Sequence, residues 1–366
     1  MDRSNDDSSR LADTATAEAG PSRRGFIAGA AGVAAAATLL KSADAFAADD
    51  AGPSLAASPP AGFTPFNAPG SIVKVTKADC LAANKTYPKP DAAKEMLTKA
   101  LTELTGKPDL VTAVMQFVHK DDKVVVKVNG IALRKMGTNA ELVIPFLQAM
   151  IDGGVPASSI TVLEQYNSFL DGTRVSAANV PAGVKINVHA NGDATMKERL
   201  IPGTGVRTKF VRALTEATAA INFSLIKDHS ICGYTGCLKN MTHGCQIYPH
   251  YFHTHHASPQ IAQLYAQDVI KSRVRLNIVD AYKVMANGGP LMKQPQHVYP
   301  FESVFVTTDP VAMDATGWDL VEKLRAEKGL HTLTAEGREP AYIKAAADLG
   351  LGVFDRSQIH VKELTI

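Results

Sequence analysis

KVVVKVNGIALRKMGTNAELVIPFLQAMIDGGVPASSITVL, residues 123–163, decides the fold class. Lys123–Val128 is a compact strand with three consecutive valines, the pattern of a strand buried on both faces. The loop Asn129–Thr138 follows, and Asn139 stands where it can cap a helix over Ala140–Asp152 that Gly153-Gly154 ends. Ser159–Leu163 is the next strand. Strand, loop, helix and strand in so short a span make a βαβ unit, so at least part of the sheet is parallel.

Outward from this unit the same style continues. Ile72–Val75 reads as a short strand and Asp91–Thr105 as a helix stopped by Gly106-Lys107-Pro108. Downstream, strands are expected at Ala219–Leu225, Leu276–Val279 and Ser303–Thr307. Helices are expected at Pro259–Lys271, from Asp309 or Pro310 to Glu327, and at Tyr342–Leu349. The alternation predicts an α/β fold: an open, mostly parallel sheet with helices on both faces, divided into two lobes. Ligands bind such sheets at the carboxyl ends of the strands, where Asn129–Thr138 and the segment 227–256 both fall.

The N-terminus carries a different message. Ser22-Arg23-Arg24-Gly25-Phe26-Ile27 has the form of a twin-arginine signal, Gly25–Leu40 is uncharged and rich in Ala and Gly, and Ala45-Phe46-Ala47 is an A-x-A cleavage site. Residues 1–47 are therefore expected to be a signal peptide handled by the twin-arginine translocase, which gives a periplasmic or other extracytoplasmic location. Residues 48–70, rich in Ala, Pro, Ser and Gly, read as a flexible linker, and 71–366 as the α/β domain. A net charge of +2 gives no electrostatic case for nucleic acid. No apolar run after the signal reaches the roughly 20 residues of a membrane span.

Residues 227–256, KDHSICGYTGCLKNMTHGCQIYPHYFHTHH, hold six of the 11 histidines and three of the four cysteines. Imidazole and thiolate are the usual ligands of zinc, nickel and iron, so His229, Cys232, Cys237, His243, Cys245 and His253 are candidate metal ligands. Equally, Cys232 and Cys237 suit a disulfide or small core positions, and the aromatic neighbours Tyr248, Tyr251 and Phe252 suit histidines stacked in a core. Lys239, if desolvated, can serve as a nucleophile or covalent anchor. Elsewhere, Asp309 and Asp314 suit helix capping, Asp280 suits a pocket lining or a turn, and Arg134 and Lys135 suit an anionic ligand or solvent.

Lys127-Val128-Asn129, Lys227-Asp228-His229, Gly236-Cys237-Leu238-Lys239-Asn240, Asp280, Gly289-Pro290 and Asp309-Pro310-Val311-Ala312-Met313-Asp314 together resemble the domain of unknown function 362 family. That resemblance implies an α/β fold, with Lys127, Asn129, Lys239, Asn240 and Asp280 around a cofactor or small-molecule substrate. More locally, His229–Lys239 resembles the core motif of nickel-dependent lactate racemases. There the implied roles are a metal ligand for His229, the covalent anchor of a nickel-pincer nucleotide for Lys239, and an acid/base group for His255. The stretch Glu164-Gln165-Tyr166-Asn167 lacks the second histidine of those enzymes, and Cys237 and Leu238 replace a glycine and a basic residue. Both departures argue against racemisation, while leaving a site at the same sheet edge. The expectation is an exported metal- or cofactor-dependent enzyme performing redox or proton-transfer chemistry on a small molecule. The alternative is a periplasmic metal- or ligand-binding protein without turnover, or a disulfide-stapled module.

Overall fold

The computed structural model describes residues 52–366; the twin-arginine signal at 1–47 lies outside them. The main sheet has nine strands in the order β11-β1-β10-β9-β7-β2-β3-β4, with β8 paired to β7. In chain order these are β1 (Ser71–Thr76), β2 (Val124–Lys127), β3 (Ile160–Glu164), β4 (Lys185–Val188), β7 (Ala219–His229), β8 (Gly233–Thr235), β9 (Val274–Met285), β10 (Val298–Thr307) and β11 (His360–Thr365). A separate antiparallel pair, β5 (Arg199–Ile201) and β6 (Val206–Thr208), sits between β4 and β7 in sequence.

The strands β9-β7-β2-β3-β4 run parallel, as do β1 and β11, whereas β10 is antiparallel to both its neighbours. Pleating sends successive side chains to opposite faces. Thus Val125 enters one hydrophobic core while Val124 and Val126 enter the other. Both halves of the chain share this one sheet, with a core on each face, in place of the two lobes expected from the sequence.

Pro90 opens the Pro90–Thr105 helix and Gly106, at φ 69°, ends it in the left-handed conformation that glycine tolerates. Ala140–Asp152 forms as expected, but Asn139 makes no side-chain cap. Its backbone N–H and side-chain amide instead donate to Asp280 Oδ2, at 2.7 and 2.9 Å. The expected Pro259–Lys271 helix is broken into Gln260–Tyr265 and Asp268–Lys271. Residues 52–70 form no strand or helix yet are bonded to the body. The Leu55 N–H donates to Asp268 (2.7 Å), Arg273 Nη1 donates to the Leu55 carbonyl (2.7 Å), and the Ala57 N–H donates to Ser272 (2.9 Å). No helix among the described residues is long and apolar enough to cross a membrane.

Candidate functional site

β7 extends four residues beyond its expected end at Leu225 and carries Lys227-Asp228-His229 as strand. Alternation then separates the triplet. Lys227 and His229 line a cavity of about 440 Å³ at the carboxyl ends of β2, β3 and β7. Asp228 turns away from it and is bound by Arg338 Nη1 at 2.7 Å and by the Gly289 N–H at 2.9 Å. A Cβ on residue 289 would lie 1.8 Å from the Asp228 carbonyl oxygen, so only glycine permits this approach. The remaining lining comes from Lys127 and Asn129 at the end of β2, Glu164 at the end of β3, and Lys239, Asn240 and His243 on the Cys237–His243 helix.

Three lysines and one carboxylate therefore share the cavity. Lys127 Nζ lies 3.1 Å from Glu164 Oε1, with both side chains almost fully buried. Glu164 also accepts the Gly130 and Gln165 N–H groups, at 3.0 and 2.6 Å. Lys227 Nζ donates to Asn129 Oδ1 at 2.8 Å, and burial pushes it down to about 7, opposed by the Glu164 carboxylate and helped by Lys239 and Lys127. Lys239 Nζ meets His253 Nε2 at 3.1 Å and is likewise lowered by burial. Asn129 and Asn240 are scaffold as well as lining. Asn129 Nδ2 donates to Asn240 Oδ1 (3.0 Å), Asn240 Nδ2 to Asn222 Oδ1 (2.7 Å), and Asn222 Nδ2 to Asn277 Oδ1 (2.8 Å).

His229, His243 and His253 gather here, with ring centroids 5.5 Å apart for His229 and His253 and 4.6 Å for His243 and His253. All three are pushed toward the neutral form, first by burial and then by Lys239; His253 falls to about 4. Their backbone partners fix their tautomers. His229 Nδ1 accepts the Ile231 and Cys232 N–H groups, at 3.1 and 3.4 Å, so its proton sits on Nε2. His243 Nε2 faces the Phe252 carbonyl at 3.2 Å and must donate, while Nδ1 lies 3.1 Å from the Thr242 hydroxyl. His253 donates from Nδ1 to the Pro249 carbonyl (3.0 Å), which leaves its Nε2 lone pair facing Lys239.

A metal ligand must offer a lone pair, and within this trio only His253 has one turned to the cavity. Among the described residues no group of three or more His, Cys, Asp or Glu is placed to hold a metal ion. The cysteines do not complete a site. Cys232 donates to the Tyr234 carbonyl (3.2 Å), Cys237 meets the Ser224 hydroxyl (3.1 Å), and Cys245 is buried among apolar groups. Burial raises the Cys232 and Cys245 thiols to about 12 and lifts Cys237 well above its ordinary value, the reverse of what thiolate ligands need. All four cysteines are free, so the disulfide reading also falls. A nickel-pincer nucleotide would need a lone pair from His229, whose Nδ1 is taken by two backbone N–H groups while the other nitrogen carries the proton. These residues do not fit that group.

Other expected site residues are placed elsewhere. Asp280 is buried under the start of the Ala140–Asp152 helix and does not line the cavity. His255 is exposed with φ 50°; the backbone turns left-handed there and carries it off the lining. Arg134 pairs with Asp171 at 2.6 Å on the surface, and Lys135 is exposed. Asp309 caps the Pro310–Glu327 helix by accepting the Val311 and Ala312 N–H groups. Asp314 receives the Cys237 and Leu238 N–H groups, at 2.6 and 3.0 Å, and so caps the helix that carries Lys239.

Reading the sequence left Lys227 and Glu164 without roles. Period-two alternation is the signal that finds Lys227, because it must face the same way as His229. Arg338, which holds Asp228 and the His229 carbonyl (2.9 Å), has no local signal, since its contact spans over a hundred residues.

The model of the family described as Domain of unknown function (DUF362) matches residues 99–319. No curated protein matches the chain. Among solved structures, the lactate racemase apoprotein from Thermoanaerobacterium thermosaccharolyticum aligns with a TM-score of 0.39 and 11% identity, over 69% of this chain and 57% of that one. This chain thus spans under two thirds of that protein, and so low a score carries no assignment. The family match includes every lysine and histidine of the cavity and covers more than half of the 366 residues, and the chain belongs to the DUF362 family.

Proposed function

We propose that this protein is an enzyme that binds a small anionic molecule in the cavity and transfers a proton to or from it. One observation carries the reading: a cavity at the strand ends holds three lysines against one carboxylate, with Lys239 Nζ 3.1 Å from the free lone pair of His253. An excess of basic groups over carboxylates in such a cavity favours an anionic ligand. Lys239 and His253 share one proton between them, so either can pass it to a substrate seated at the same spot. His229, with its proton on Nε2, is a fixed donor beside them.

The test uses proton NMR in D2O with the chain from Ala48 and a panel of 2-oxo and 2-hydroxy carboxylates. Exchange of the C–H next to the carboxylate or carbonyl is expected, with a loss of about 100-fold or more in His253→Ala and Lys239→Met. Binding without exchange of any compound would establish the second reading, a ligand-binding protein without turnover. The exposed run of His250, His255 and His256 favours that reading, because binding tolerates redundancy better than catalysis does. We further propose export by the twin-arginine translocase to the periplasm, supported by Arg23-Arg24 and the Ala45-Phe46-Ala47 site. Retention of an Arg23→Lys, Arg24→Lys double variant in the cytoplasm would confirm it; unchanged fractionation would refute it.

A further inference from the structure

Lys227 stands apart from the other two cavity lysines. Lys127 is committed to Glu164 and to the Val128 carbonyl, and Lys239 to His253. The hydrogen-bond partner of Lys227 Nζ is the amide oxygen of Asn129 at 2.8 Å, which accepts equally from an amine and from an ammonium. Glu164, the carboxylate of the lining, is occupied by Lys127 and two backbone N–H groups. The Lys227 side chain is almost fully buried, and the partner it is bonded to carries no charge. The asparagine relay behind Asn129 fixes the direction in which that amine points. The cavity mouth adds a further character. Ile231 and Leu291, 39% and 49% exposed, line it, and they are two of the five exposed large apolar side chains among the described residues. Tyr166 and Phe169 add an aromatic wall, with ring centroids 5.1 Å apart.

We propose that Lys227 forms a Schiff base with its substrate, and that the substrate is a 2-oxo acid with an apolar body. This rests on the proton-transfer reading of the same cavity. The amine nitrogen attacks the carbonyl carbon and forms a C–N bond, while the carbonyl oxygen takes a proton from that nitrogen. A second proton, from solvent at the cavity mouth, lets the hydroxyl leave as water, giving a C=N bond with a protonated nitrogen; one proton is consumed, one water is released and nothing is oxidised or reduced. The cationic nitrogen acidifies the adjacent C–H, whose proton His253 Nε2 is placed to accept. The Lys239 ammonium faces the substrate carboxylate, and the apolar mouth holds the body of the molecule.

The experiment treats the chain from Ala48 with 4-methyl-2-oxopentanoate or phenylpyruvate in the presence of sodium cyanoborohydride, then maps adducts by peptide mass spectrometry. The expected result is a secondary-amine adduct concentrated on Lys227, with the D2O exchange rate reduced about 100-fold or more in Lys227→Arg. An adduct on Lys239, adducts only on surface lysines, or none at all would overturn the assignment, and none of these needs a variant to fold. Anion binding and D2O exchange that persist without a Lys227 adduct would remove the Schiff base and leave the cavity reading standing. Absence of both binding and exchange would remove the two together.

Discussion

His189 shows what a single buried ring contributes. It is 3% exposed, its Nδ1 accepts the Asn191 N–H at 3.1 Å, and its Nε2 meets the Gly244 carbonyl at 3.2 Å. Burial, then Lys127, pushes it from 6.5 to about 4. The folded value lies below the unfolded one, so its stabilisation is complete above pH 6.5 and is lost as pH falls toward 4. Over that window wild type should lose about 1.4 kcal/mol per pH unit more than His189→Gln. Urea midpoints at steps between pH 7 and 4.5 check this; parallel curves would show that the ring does not titrate with folding. Nothing in the sequence distinguishes His189 from a surface histidine, because its neighbours lie on the Cys237–His243 helix and on β2. Lys127 and Asn129 were singled out through the family resemblance; alternation along Lys-Val-Asn at the carboxyl end of β2 is what puts both on one face.

Among the elements, the Cys237–His243 helix depends most on a distant residue. Its first turn has no side-chain cap of its own, and Asp314 on another helix supplies both acceptors. Asp314→Ala would leave two buried N–H groups unsatisfied, at about 1–3 kcal/mol each. Denaturant unfolding should show that loss, and hydrogen exchange should speed up over 237–243. Asp314→Asn, which keeps one carbonyl oxygen, should recover part of it. Unchanged exchange in the Ala variant would mean that the helix is held by packing alone. Asp309 and Asp314 were both read as capping residues, and each does cap, yet only Asp309 caps its own helix. Long apolar elements such as β2 and the Ala140–Asp152 helix were legible from pattern. The end of β7 was not, because Lys227-Asp228-His229 reads as loop until its partners on β8 and Arg338 are known. Edge strand β11, largely exposed, gave no apolar signal.

At the scale of the molecule, the segment before β1 fastens onto the Asp268–Lys271 helix and the turn after it. Asp268 accepts the Ser54 hydroxyl (2.8 Å) and the Leu55 N–H, and Arg199 donates to the Pro53 carbonyl (2.5 Å) and to Asp268 (3.0 Å). Deleting residues 52–58 should cost about 2–4 kcal/mol, since these bonds include charged groups and water replaces only some of them. A lowered midpoint in thermal unfolding is expected; an unchanged one would mark the segment as passive. Composition alone gave the reading of a linker, because Pro, Ala and Ser carry no sign of the arginines waiting elsewhere in the chain. The sheet itself has a consequence for how the protein is made. β1 is the first strand, yet both its partners, β10 and β11, lie at the far end of the chain. On the ribosome it must wait, apolar and unpaired, until Ser303–Thr307 have been added, and its outer side stays open until translation reaches Thr365. A nascent chain that stalls or terminates early in its last tenth would therefore carry a strand with one open edge into the cell, a ready substrate for chaperones and proteases.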